Sequence, residues 1–100
     1  MANIPNQVRR IVEKYIQSLK ENNIPIEQAI LFGSYSETSD IDIAIVSDIF
    51  EGDRFIDRGK IRKINLSVSK DLEILPYNPQ DFTIDNPFVK EIMETGIKIV

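Results

Sequence analysis

An α+β domain is predicted, on three observations. Apolar residues recur at helical spacing near the N-terminus and again in two later stretches. Three short apolar segments, 28–32, 41–46 and 71–75, have strand length and strand composition. The order helix, strand, strand, helix, strand, helix, short strand fits a small mixed β-sheet with helices packed on one face. One hundred residues make a single domain, 1–100, with a real but modest core.

The first helix is expected from about Pro5 to Glu21. Asn3 is placed to cap it, Pro5 suits its first turn, and Val8, Ile11, Val12, Tyr15, Ile16 and Leu19 share one face. Asn22-Asn23 ends it. After the Pro25 turn, Gln28 to Phe32 reads as a buried strand that delivers Gly33 and Ser34 at its end, and Ile41 to Val46 is the second strand. The acidic stretch 47–53 lacks the alternating oxygen ligands of a calcium loop, so Asp53 is read as a helix cap. The helix that follows, Arg54 to Ser67, is expected to bury Phe55, Ile61 and Ile64, with Gly59 as a weak point or a close-packing site. Lys60, Arg62 and Lys63 are within reach of a triphosphate in this reading.

Asp71 to Leu75 is the third strand, ended by Pro76. Phe82 falls on the core after a short turn. Asn86 caps and Pro87 opens a last helix to Thr95 that buries Phe88 and Ile92 together with Val89 and Met93, and Gly96 stops it. The alternating apolar tail, Ile97 to Val100, reads as an edge strand or a docking surface.

Composition excludes much. Cysteine and histidine are both absent, which removes disulfides, thiolate or imidazole metal sites, and every hydrolase that needs a histidine base. A net charge of −4 argues against nucleic acid as a partner. No apolar run approaches the ~20 residues of a membrane span, and the N-terminus lacks the pattern of a signal peptide, so a cytoplasmic location is expected. Carboxylates and oxygen-seeking metals remain.

The stretch LFGSYSETSDIDIAIV, Leu31 to Val46, carries the chemistry. On a strand, residues two apart share a face, so Asp40 and Asp42 project together, with Cα atoms roughly 6.6 Å apart, while Ile41, Ile43 and Ile45 project the other way. Two like charges side by side on a strand are unfavourable unless something offsets them, and aspartate is a poor strand former. A divalent cation is such an offset, and Mg²⁺ suits oxygen ligands and substrate phosphates. Gly33 permits a turn whose N–H groups face an anion, and Ser34 adds a hydroxyl donor. On the third strand Asp71 and Glu73 share a face, and either supplies a third carboxylate.

Gly-Ser followed by Asp-x-Asp on a strand resembles the signature of the DNA polymerase β-like nucleotidyltransferases, and from about Ala29 onward the chain looks like the minimal nucleotidyltransferase domains of bacteria and archaea. The resemblance implies the nucleotidyltransferase fold. It implies Asp40, Asp42 and Glu73 as catalytic, metal-binding residues, two Mg²⁺ ions, and Gly33 and Ser34 as the cradle for ATP or another nucleoside triphosphate. It implies transfer of a nucleoside monophosphate to an acceptor hydroxyl with release of pyrophosphate. Similar minimal domains form toxin–antitoxin pairs with small helical HEPN proteins, so a helical protein partner, modified on a tyrosine with AMP, is the partner expected. One departure stands out. The loop between Ser34 and Asp40, Tyr35 to Ser39, is shorter than the family's and carries no cation. The alternative it favours is an antitoxin-like binding subunit that neutralises its partner by contact.

Overall fold

The structure, a computed structural model, describes residues 4–33 and 40–100. Asn3 and Ser34, with the short loop that follows Ser34, lie outside the described residues. Helix α1 (Asn6–Glu21) precedes strands β1 (Gln28–Phe32) and β2 (Ile41–Val46), helix α2 (Arg54–Val68), strand β3 (Leu72–Tyr77), helix α3 (Pro87–Thr95) and the short strand β4 (Ile97–Lys98). The sheet order is β3-β2-β1-β4. β1 runs antiparallel to both β2 and β4, and β2 runs parallel to β3 through the α2 crossover. The expected α+β class and mixed sheet are what the chain forms.

Strand alternation divides the core in two. Ala29, Leu31, Ile41, Ile43, Ile45 and Ile74 point to one face and pack with Val8, Val12, Tyr15, Ile16 and Leu19 of α1 and Ile61 of α2. Each such fully buried aliphatic side chain contributes about 1.5–3 kcal/mol relative to exposure. Ile30, Ala44, Val46 and Tyr77 point to the opposite face, where Val89 and Ile92 of α3 and Phe82 cover them. The expectation of helices on one face therefore needs correction: α1 and α2 share a face, and α3 takes the other. Its apolar stripe is satisfied equally well by either side of a sheet buried on both.

Local signals set the ends of the elements. Asn22 closes α1 by donating from Nδ2 to the Ser18 carbonyl at 2.8 Å, and Asn23 adopts a left-handed φ of 60°. Asp53 accepts from the backbone N–H groups of Phe55 and Ile56, and Asn86 accepts from that of Phe88. Gly96 does end α3, but not through a left-handed cap. Its φ is −81°, and a Cβ there would overlap Ile30 Cγ2 and lie 3.1 Å from the Leu31 carbonyl. The glycine lets the chain leave α3 directly against β1. The tail then resolves as an edge, with Ile99 N–H donating to the Ala29 carbonyl at 2.7 Å.

Three aromatic or apolar assignments differ from expectation. Phe55 is 89% exposed, and Phe88 and Met93 are also exposed. In α2 the buried stripe is Asp57, Ile61, Ile64 and Val68, at i, i+4, i+7 and i+11, so Phe55 lies off it. The place of the first apolar residue is taken by Asp57, whose carboxylate accepts from Glu51 N–H at 2.8 Å and Gly52 N–H at 3.0 Å.

Candidate active site

Register places the acidic residues. Phe32 faces Asp42 across β1–β2, and Asp42 faces Glu73 across β2–β3. Residues paired this way point to the same side, so Phe32, Asp42 and Glu73 form one row across the sheet. The next row, Ile30, Ala44 and Leu75, is the one that α3 and its neighbours cover. The carboxylate row thus lies at the end of the sheet, just past the covering helix.

Asp42 is the focus of that row. Burial pushes its carboxyl above the ordinary value of 3.8, and the negative charges of Glu73 and then Asp40 push in the same direction. Asp40, exposed and just ahead of β2, and Glu73, on the edge strand, are therefore the two acids whose charge reaches Asp42. Asp71 lies just ahead of β3, and its carbonyl accepts from Ile41 N–H at 2.8 Å. Of the two candidates on the third strand, Glu73 is the one beside Asp42.

Gly33 closes the arrangement from the β1 side. Its φ is +83°, and a Cβ built on it would overlap Oδ2 of Asp42 and come within 3.3 Å of Cγ. Only a residue without a side chain admits the carboxylate so close to the backbone.

The donor set suits Mg²⁺. It consists of carboxylate oxygens alone, and the burial and the neighbouring charges that disfavour ionised Asp42 are what a cation would offset. Among the described residues no group of three or more His, Cys, Asp or Glu side chains is placed to hold a metal ion together. Mg²⁺ does not need one, because it is ordinarily held by one or two carboxylates and completes its octahedron with water and substrate phosphates.

Two cavities flank the row. One, about 460 Å³, lies between α2 and the edge strand β3, and Phe55, Arg58, Arg62, Asn65 and Glu73 line it. Arg58 Nη2 lies 3.6 Å from Glu73 Oε1, with both side chains half exposed, so the pair contributes about 0–1 kcal/mol and opens easily. Asn65 Oδ1 is buried there without a hydrogen-bond partner among the described residues. The other cavity, about 390 Å³, adjoins Gly33 and is lined by Phe32, Phe88, Glu91, Ile92 and Thr95.

Of the cations expected near a triphosphate, Lys60 is committed elsewhere. Its Nζ donates to the Ile49 carbonyl at 2.7 Å and pairs with Glu51 and the buried Asp57, which ties the β2–α2 loop to the helix. Arg62 borders the larger cavity instead. Sequence reasoning missed Asp57, because a buried acid inside an apolar stripe has the same local pattern as a solvated one. No helix among the described residues is long and apolar enough to cross a membrane.

Comparison with curated proteins gives no match. Comparison with protein families does: the profile described as a nucleotidyltransferase domain matches residues 12–99, from the middle of α1 through β4, and so takes in every residue of the carboxylate row. With that span and the mixed sheet that presents Asp40, Asp42 and Glu73, the chain belongs to the nucleotidyltransferase domain family.

Proposed function

We propose that this chain is a Mg²⁺-dependent nucleotidyltransferase that moves a nucleoside monophosphate, AMP from ATP, to an acceptor hydroxyl. The observation that carries the reading is the register that faces Asp42 with Glu73 across β2–β3, with the Asp42 carboxylate against the backbone of Gly33. Carboxylates brought together in this way are offset by a divalent cation. Asp40, Asp42 and Glu73 would hold Mg²⁺, which supplies neutralisation of phosphate charge and a lowered pKa for the acceptor hydroxyl.

The remaining work is positioning. The backbone at Gly33 and the hydroxyl of Ser34 hold the phosphates through N–H and O–H donors. Glu73, on the edge strand and half exposed, meets the acceptor first and takes a hydrogen bond from its hydroxyl. The acceptor oxygen forms a bond to the α-phosphorus, the bond from that phosphorus to the bridging oxygen of the β-phosphate breaks, pyrophosphate leaves, and the hydroxyl proton passes to solvent. Alignment and charge neutralisation account for the rate, since little covalent chemistry falls to the protein.

The acceptor in this proposal is a tyrosine on a small helical HEPN-type partner. The exposed Phe55, which lines the cavity that Glu73 borders, and the exposed Ile56 and Leu66 of the same helix give such a partner an apolar footing. The test is incubation with ATP labelled at the α-phosphate, Mg²⁺ and a HEPN-type protein. Label is expected on the partner with the wild-type chain and not with Asp42→Ala or in EDTA. Equal labelling by Asp42→Ala would sink the assignment. Stable binding of the partner with no labelling under any condition would favour the antitoxin-like binding subunit.

A further inference from the structure

We infer that the cavity between β1 and α3 is the nucleobase subsite, and that it takes a base bearing an exocyclic amino group, stacked on Phe88 and read by Glu91. The inference rests on the nucleotidyltransferase reading above and adds the part of the substrate that the carboxylate row does not touch.

Continuity is the first argument. Gly33 lies against the Asp42 carboxylate and also lines this cavity, so a nucleotide with phosphates at Gly33 has its nucleoside next to the space beyond. At about 390 Å³ the cavity falls in the lower part of the roughly 300–1,000 Å³ typical of small-ligand sites, the size of a nucleoside rather than of a whole dinucleotide.

The lining chemistry is the second. Phe32 and Phe88 meet edge to face, with centroids 6.2 Å apart and planes at 88°. That contact engages the edge of one ring and one face of the other. Phe88 stays 43% exposed although its helix has a buried stripe at Val89 and Ile92. A planar base stacked there removes exposed apolar surface from water and gains the offset ring contact.

The polar side chains supply the third. Thr95 Oγ1 donates its proton to the Glu91 carbonyl at 2.7 Å, which leaves its oxygen only as an acceptor. No ion pair holds the Glu91 carboxylate among the described residues. Among the described residues, both polar side chains that line the cavity therefore offer acceptors, and no cation lines it. Phosphate is disfavoured beside the Glu91 carboxylate, and an N–H donor is favoured: the exocyclic amino group of adenine, guanine or cytosine fits, whereas the O4 carbonyl of uracil meets acceptor with acceptor.

The experiment measures binding of ATP, GTP, UTP and inorganic tripolyphosphate by calorimetry, in Mg²⁺, to the wild-type chain and to Phe88→Ala, Phe88→Tyr and Glu91→Gln. Expected are weaker ATP binding by about tenfold in Phe88→Ala, unchanged tripolyphosphate binding, and recovery in Phe88→Tyr, which keeps the stacking face. Glu91→Gln should narrow the preference of ATP and GTP over UTP. If ATP binds the wild type but Phe88→Ala and Glu91→Gln bind all three nucleotides as the wild type does, the subsite is elsewhere and only this inference fails. If the wild type binds none of the nucleotides, the nucleotidyltransferase reading fails and takes the subsite with it.

Discussion

Oδ2 of Asp42 occupies the space where a side chain on Gly33 would begin. The backbone of β1 and the central carboxylate of β2 are thereby locked to one another, with Glu73 facing Asp42 from the next strand. The glycine is needed twice, for its left-handed φ of +83° and for the missing Cβ.

Gly33→Ala should lower stability by about 1–2 kcal/mol, the cost of a left-handed conformation for an L side chain, and should push the Asp42 carboxylate off its position. Urea denaturation and nucleotide titration of the same variant check both parts. A variant as stable as wild type with full nucleotide affinity would contradict the close fit.

Asp42 should make the protein less stable as pH rises. Its carboxyl lies above the ordinary 3.8 in the folded chain, chiefly through burial and then through Glu73 and Asp40. Between the unfolded and the folded value the native state binds more protons than the unfolded one, so the contribution of this group falls as pH rises through that window and stays low above it. Asp42→Asn should flatten the slope there and raise stability at neutral pH, while abolishing transfer. Thermal melts from pH 3 upward, compared between variant and wild type, give the answer.

Asp57→Ala should lower stability by about 2–4 kcal/mol. The carboxylate is fully buried and satisfies the N–H groups of Glu51 and Gly52, and its loss strands both and leaves Lys60 without its buried partner. The loop that joins β2 to α2 should then exchange its amide protons faster than the helix does.

Gly59→Ala should raise stability by about 0.5–1 kcal/mol, because the position is helical and an added Cβ meets nothing within 4 Å. A shift of the urea midpoint with an unchanged slope is the expected signature.

Much of the fold was legible because its signals are local. The apolar stripe of α1, the caps at Asp53 and Asn86, and the paired strands around the Gly-Ser turn each need only a few neighbouring residues. Alternation placed Asp40 with Asp42 and Asp71 with Glu73, but that Glu73 rather than Asp71 faces Asp42 depends on the register between two strands, which neither strand's own pattern contains. What was not legible depends on distant contacts. Periodicity shows that α3 has an apolar face but not which side of the sheet it meets. Phe55 and Phe88 look like core residues by type, yet one lies off the stripe that Asp57 begins and the other lines a cavity. The commitment of Lys60 to Ile49 and Asp57 depends on a loop whose path no local pattern specifies. Ser34, the second half of the expected cradle, falls outside the described residues.

The central claim is that the carboxylate row and Gly33 form a working nucleotide site, and the most direct measurement is titration of the ¹⁵N-labelled chain with ATP in the presence and absence of Mg²⁺. The account predicts Mg²⁺-dependent shifts centred on the amides of Gly33, Asp40, Asp42 and Glu73, with the amides of α1 unmoved. Silence of those four amides at millimolar ATP and Mg²⁺ would contradict it, and the binding-subunit reading would take its place.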